Sequence, residues 1–322
     1  MIRAARQAAR AKRRKPAVAR FLRDIEAEVL RLERELIDRS YRPRPYRSFA
    51  VSDPKQRMIC AADFRDRVVH HAACDLLAPI IERTFIADSF ACRNGKGSHA
   101  AVRRAQRFLK RFPFFLKLDV RKFFDSVDHG VLKTFLRKKI KDPDFLWLLE
   151  VFIDHPVPWT QPGKGLPIGN LTSQHFANFY LDPLDHTIKD RWGVKGYVRY
   201  MDDLVVFGTD KPRLWQILAH VGHFLNHTLL LRIKPGTVVL APSAEGLGFL
   251  GFRIFPGLIR LPQKSWRRFR RKLLAREADF REGRIDEGVL ARSVCSLTGH
   301  VKHAASRNLL ANFFDNRLPL EV

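Results

Sequence analysis

Cysteine and methionine are scarce in this chain, with 4 and 3 copies in 322 residues, and acidic residues are well short of the basic ones. Cys60, Cys74, Cys92 and Cys295 lie far apart and form no Cys-x-x-Cys pair. That argues against a structural zinc site and fits reduced thiols in a cytoplasm. No stretch approaches the roughly 18 uninterrupted apolar residues of a membrane-spanning helix. The longest candidate, Phe145 to Ile153, is broken by Glu150. Internal repeats and low-complexity linkers are also missing, and the length suits two or three subdomains in one continuous body. The shortage of acid is the most informative: 33 Asp and Glu against 59 Lys and Arg give a net charge of +26. Solubility needs far less. The excess predicts a polyanionic partner, most simply nucleic acid.

Against that basic background, two small groups of aspartates stand out. In Gly196-Tyr-Val-Arg-Tyr-Met-Asp-Asp-Leu-Val-Val-Phe-Gly208, the β-rich runs Tyr197–Tyr200 and Leu204–Phe207 flank Asp202 and Asp203. This predicts a hairpin with the acidic pair at its tip, although aspartates at a turn are also ordinary turn chemistry. Upstream, Phe114-Phe-Leu-Lys-Leu-Asp119 is an apolar run ending in a carboxylate, followed by a helical pattern of Val127, Val131, Leu132, Phe135 and Leu136. A carboxylate at the end of a buried strand has to be paired or metal-bound. If the strand lies beside the hairpin, Asp119 meets Asp202 and Asp203, and three clustered carboxylates need cations. Mg2+ prefers such hard oxygen ligands, and two ions roughly 3.5–4 Å apart can clamp both oxygens of an in-line phosphoryl transfer.

Two further segments follow in order, Gly165-Leu-Pro-Ile-Gly-Asn-Leu-Thr-Ser-Gln174 and Gly248-Phe-Leu-Gly-Phe252. With these four motifs, the chain from about Lys55 onward resembles a reverse transcriptase. The resemblance implies an α+β right-hand polymerase fold, with an antiparallel palm sheet and helical fingers and thumb. The expected division is a basic helical arm at 1–40, fingers at 41–113, palm at 114–255 with a helical insertion near 130–162, and thumb at 256–322. RNase H and endonuclease domains are not expected in this length.

The resemblance also implies roles. Catalysis and two Mg2+ ions, for which Mn2+ can substitute, fall to Asp119, Asp202 and Asp203, with Val120 beside them. Contacts to the dNTP fall to Lys55, Arg57, Phe124, Ile168, Gly169 and Lys234. Contacts to template and primer fall to Arg93, Lys96, Ser173, Gln174, Tyr200, Met201, Phe249, Leu250, Gly251, Arg267 and Arg271. Phe124 would be the gate that excludes a ribose 2′-OH, or simply a core side chain. Lys234 is either a proton donor to the leaving pyrophosphate or a turn lysine. The Arg93–Lys96 loop could approach phosphates or be an ordinary glycine turn. Asp125 and Asp128 read as helix-start residues.

Retroviral and group II intron enzymes usually carry Gln before the motif's Gly and Pro after its Ser, where this chain has Ile168 and Gln174. Ile-Gly-x-x-x-Ser-Gln is similar to the diversity-generating retroelement branch. So is Ser296-Leu-Thr-Gly-His300-Val-Lys-His303-Ala304. That branch implies a bacterial or phage origin, cytoplasmic location, a template-repeat RNA, a small basic accessory variability protein, and inaccurate copying of template adenines. A retron or phage-defence enzyme and a non-catalytic RNA-binding protein on a polymerase scaffold are the alternatives.

Elsewhere, residues 1–20 carry eight basic side chains and no acidic one, an RNA-binding arm or a solvated tail. Apolar spacing predicts helices over Phe21–Ile37, Leu214–Leu231 and, with seven basic residues, Lys264–Arg276. A hairpin leading into a helix is expected after Tyr41–Ser48, a basic helix over Ala100–Arg111, and a helical stretch from Lys133 that turns proline-rich before Pro162. The polar run at 170–174 would cap a helix continuing through Phe176, Phe179 and Tyr180. His300 and His303 suit RNA contact or packing better than metal.

Overall fold

The computed structural model describes residues 1–52 and 56–315. Its centre is a four-stranded antiparallel sheet in the order β4-β5-β3-β6. The strands are β3 (Phe114–Asp119), β4 (Gly196–Tyr200), β5 (Asp203–Gly208) and β6 (Val239–Pro242). Side chains alternate between the faces of a strand. Leu116, Leu118, Leu204 and Val206 enter the larger core on one face. Phe115, Val198, Val205 and Phe207 enter a second core on the other. Because both faces are covered, Leu204–Phe207 reads as one unbroken apolar run rather than an alternation.

Before this sheet come α1 (Ile2–Ala8), α2 (Pro16–Arg23), α3 (Ile25–Ile37), a hairpin of β1 (Arg47–Ser52) and β2 (Gln56–Ala61), α4 (Phe64–Glu82) and α5 (Ser98–Arg111). The basic arm is not a solvated tail: Ala4, Ala5, Ala8 and Ala9 are buried, and α1 packs on α4. The helix expected over Phe21–Ile37 is broken at Asp24, whose φ of −110° and ψ of 36° are non-helical.

After β3, the expected single helix is also divided. A short α6 (Phe123–Ser126) ends at Val127, and α7 (His129–Lys139) begins afresh where the Asp128 carboxylate accepts from the Val131 N–H. α8 (Pro143–Asp154), α9 (Leu171–Tyr180) and α10 (Asp182–His186), which runs into a π turn at Thr187–Arg191, lead to β4. In α9 the polar run does not cap: Asn170 makes no side-chain cap bond, and Ser173 is buried within the helix. α9 is buried nearly all round, and its hydroxyl at Thr172 bonds His70 Nδ1 at 2.9 Å. α11 (Lys211–His227) is shorter than its apolar pattern, because Leu229 and Leu231 pack in the core from the following loop.

The chain ends with a small antiparallel sheet, β7 (Leu247–Phe249), β8 (Phe252–Ile254) and β9 (Ile259–Arg260), and with α12 (Gln263–Arg281), α13 (Glu287–Val301) and α14 (Arg307–Asp315). Phe249 and Phe252 join the second core, so this small sheet seats on the same face of the central sheet as α5.

Candidate active site

The register of the central sheet brings the acidic residues together. Asp119 lies directly across from Asp203, and Tyr200 pairs with Asp203 across a two-residue turn made of Met201 and Asp202. Met201 has a φ of +52°, a left-handed conformation that disfavours any side chain with a Cβ and that collects at functional sites. The Val120 N–H donates to the Asp202 carbonyl at 3.3 Å, and the Lys234 N–H to the Asp119 carbonyl at 2.8 Å. These backbone bonds fix both carboxylates against one another. The Asp202 carboxyl is pushed up to about 6, first by burial and then by the Asp119 charge beside it. Two carboxylates sharing a site behave this way when no cation lies between them.

The third carboxylate is differently placed. Asp203 Oδ1 lies 3.2 Å from Lys117 Nζ. Asp203 thus adds its charge to the Asp202 site while a lysine engages it, and no group of three metal-binding side chains forms among the described residues. The donor set still fits Mg2+, which takes one or two carboxylates and keeps its remaining positions for water and substrate phosphates. Asp119 and Asp202, with the chain at Val120, are the residues that would hold it. Lys234 Nζ stands 3.8 Å from Asp119 Oδ2 and is 42% exposed, so it reaches both the acid and solvent.

The other expected contacts lie around this centre. Lys55 is outside the described residues, and Arg57 is exposed on β2. Phe124 is half-buried, and its carbonyl accepts from the Leu166 N–H at 2.7 Å, which ties it to the glycine motif. Ile168 is half-buried, and its carbonyl accepts from the Cys60 N–H at 2.8 Å. Gly169 has a φ of +125°, and a Cβ there would sit 2.8 Å from the Cys60 carbonyl oxygen. This glycine is needed for close approach to β2, a backbone partner that sequence reasoning did not anticipate. Gln174 Oε1 accepts from the Cys92 thiol at 3.2 Å, and Tyr200 is half-buried close to the same cysteine. Arg93 donates to the carbonyls of Ile86 and Ser89, and Lys96 to that of Ala87. Both cations therefore shape their own loop. Phe249 is buried, whereas Leu250 and Gly251 form a turn with φ of +49° and +86°, the pair of positive values that a type I′ hairpin requires. Arg267 and Arg271 are exposed, one turn apart on α12.

Two features escaped the sequence reading. Arg199, one residue before the Tyr-Met-Asp-Asp turn, is fully buried. It donates to both Asp185 oxygens, to Asn178 Oδ1 at 3.1 Å and to the Met201 carbonyl at 3.3 Å. Tyr197 adds a bond to Asp185 at 2.7 Å. The turn carrying Asp202 thus rests on a buried ionic network whose acid sits on another element, α10. The second feature is a groove of about 550 Å3 between the arm and the β1–β2 hairpin. It is lined by Lys12, Lys15, Arg47, Phe49, Arg67 and His71, with Gly169 at one wall. Burial, then Arg67 and Lys15, lower the Lys12 pKa. Cations crowded in this way attract an anion.

The histidines near the C-terminus form a packed group. His303 stacks on His99 with centroids 3.4 Å apart, and His300 lies against Phe252 at 4.7 Å. This agrees with the packing reading.

Known proteins bear on the fold and on the centre alike. The family described as reverse transcriptase (RNA-dependent DNA polymerase) matches residues 51–254, well over half of the chain. The chain belongs to the reverse transcriptase family. Its similar proteins include protein YkfC of Escherichia coli, 26% identical over 78% of this chain and 79% of that protein. They also include the group II intron-encoded protein LtrA of Lactococcus lactis, 27% identical over 50% of this chain and 28% of that protein. The chain therefore spans under a third of that intron-encoded relative. Among solved structures, telomerase from Candida albicans in complex with a fragment of telomeric RNA superposes with a TM-score of 0.54 and 11% identity, over 69% of this chain and 46% of that one. Apo telomerase from Candida tropicalis gives 0.51. At such identity the likeness concerns the fold, which is the right-hand polymerase fold. The family's enzymes are RNA-directed DNA polymerases, and the acidic centre lies inside the matched residues. No helix among the described residues is long and apolar enough to cross a membrane.

Proposed function

We propose that this reverse transcriptase is that of a diversity-generating retroelement, copying a template-repeat RNA into error-prone cDNA with the help of a small basic accessory protein. The observation that carries the subtype is Ile168-Gly-Asn-Leu-Thr-Ser-Gln174, joined by Gly299-His300 and His303-Ala304. An isoleucine offers no hydrogen bond beside the nascent base pair. Discrimination depends on sites that leave a wrong partner unpaired, so losing a polar side chain there loosens selection.

In this reading the arm is residues 1–40, the fingers 41–113, the palm 114–255 and the thumb 256–322. Asp119 and Asp202 would hold divalent ions, which would supply charge neutralisation and ease ionisation of the primer 3′-OH for its attack on the dNTP α-phosphate, with pyrophosphate leaving. The chain's own residues do the rest. Phe124 packs against the sugar and excludes a 2′-OH, Lys234 gives a proton to the leaving pyrophosphate, and Arg57 steadies the triphosphate. The groove at Lys12, Arg47 and Arg67 receives the template strand. Arg267 and Arg271 follow the duplex backbone, and the turn at Leu250-Gly251 meets the primer.

Primer extension on an RNA template with Mg2+ and sequenced products tests both levels. Wild type is expected to make cDNA with errors concentrated at template adenines, Asp202→Ala to make none, and Ile168→Gln to raise fidelity at those positions. Accurate wild-type cDNA would move the chain to a second reading, an intron- or retron-type polymerase, which the likeness to intron-encoded proteins favours.

A further inference from the structure

On its face toward the small sheet, β3 carries Phe115, Lys117 and Asp119. Lys117 is unexpected among the buried aromatics there. Its Nζ lies 3.2 Å from Asp203 Oδ1, donates to the Gly248 carbonyl at 2.9 Å, and stands 5.9 Å from the centroid of the Phe249 ring. The lysine and aspartate side chains are each 24% exposed. A lysine is this enclosed only where its charge is matched. The contact joins three pieces of chain that are remote in sequence: β3, the acidic turn, and the hairpin bearing Leu250-Gly251. That hairpin has three residues in each strand, too few to hold itself in place. On its far side the Ser265 hydroxyl donates to the Gly251 carbonyl at 3.0 Å, linking it to α12.

We propose that Lys117 is a positioning residue for the primer terminus. The Asp203–Lys117–Gly248 bridge sets the height of the Leu250-Gly251 turn above Asp119 and Asp202, and it engages Asp203 as a structural partner of the lysine. This rests on the polymerase reading given above. The bridge governs how well a primer end is seated, and a dNTP bound at the other side of the centre does not sense it.

The test is binding of a fluorescent DNA primer on an RNA template, measured by anisotropy in EDTA, so that no metal and no turnover are involved. Wild type is compared with Lys117→Met, which keeps the stem over Phe249 and removes the charge, with Asp203→Asn, and with the double variant. Each single change is expected to weaken binding about tenfold, and the double no further than either single, since both remove one link. Lys117→Arg is expected to restore most of the affinity. In extension assays with metal, the primer–template KM is expected to rise while the dNTP KM stays constant. Lys117→Met binding like wild type, or a double variant weakened about a hundredfold, would overturn the bridge. Should Lys117→Met fail to fold, Lys117→Gln takes its place in the cycle, with the same two outcomes. Wild type failing to bind the primer–template would instead sink the polymerase reading, a result distinct from any difference among variants.

Discussion

The two hairpins at the centre solve the same problem in opposite ways. β4–β5 and β7–β8 both close in two residues, and both place a bulky side chain, Met201 or Leu250, at positive φ. The first is fixed from beneath: Arg199 and Asp185 are fully buried, and the arginine reaches up to the Met201 carbonyl. The second is fixed from its sides, by half-exposed contacts from Lys117 and Ser265. A buried ionic network holds one geometry, because every alternative leaves a charge unpaired. Partly exposed contacts are individually weaker. The acidic turn is therefore a fixed point, and the primer-facing turn is set against it through the Lys117 bridge and the Ser265 bond.

Removing the foundation of the first hairpin has the largest expected effect. Arg199→Met leaves Asp185 charged and buried without its partner, at a cost of roughly 3–5 kcal/mol. Chemical denaturation checks this, and Arg199→Met with Asp185→Leu is expected to recover much of the loss. Should the single change cost under about 1 kcal/mol, the network does not anchor the turn.

Next is Asp182, packed beside the same network. Burial is the first cause that raises its carboxyl to about 6, from an ordinary 3.8, and His186 Nε2 lies 3.7 Å away. The folded state holds this proton more tightly than the unfolded one. Stability from this group is thus fully present below pH about 4 and falls as the pH rises to about 6. Asp182→Asn is expected to stabilise the fold at pH 7 by roughly 2–3 kcal/mol and to flatten this window. Melting curves across pH 4–8 read both effects.

On the second hairpin, Ser265→Ala removes one exposed bond, and a loss near 1 kcal/mol is expected, confined to α12 and the turn. Hydrogen exchange would show faster exchange there and no change at Tyr200–Asp203. Smallest of all, Arg267→Ala and Arg271→Ala should leave the melting temperature unchanged. Each should lower the slope of log affinity against log salt by about one. An unchanged slope would remove α12 from the duplex contact.

How much of this was legible beforehand follows from how local each signal is. β-rich runs and turn chemistry announced β4, β5 and the aspartates at their tip, and the apolar run announced β3. The pairing of Asp119 with Asp203 needed only the assumption that those strands are neighbours. The breaks at Asp24 and Val127 were hidden, because apolar spacing continues across them while the backbone does not. Nothing in the sequence singled out Arg199 in a chain with 59 basic residues. Its partner Asp185 sits on another element, and nothing in spacing predicts that an arginine will be buried. Gly169 was expected to contact the dNTP, whereas a Cβ there would meet the Cys60 carbonyl first, a contact between segments more than a hundred residues apart. Lys117 was passed over inside a strand for the same reason.

The register of β3 carries a consequence for how this gene can change. Phe114 faces Gly208 and Asp119 faces Asp203 with no bulge between them. Inserting or deleting one codon within β3 would send Asp119 to the opposite face and bring a leucine or a valine to the centre. Substitutions can accumulate along this strand, but its length cannot drift. The six residues from Phe114 to Asp119 therefore act as a fixed spacer, and length variation among descendants of this chain belongs in loops such as Pro156–Gln161 rather than here.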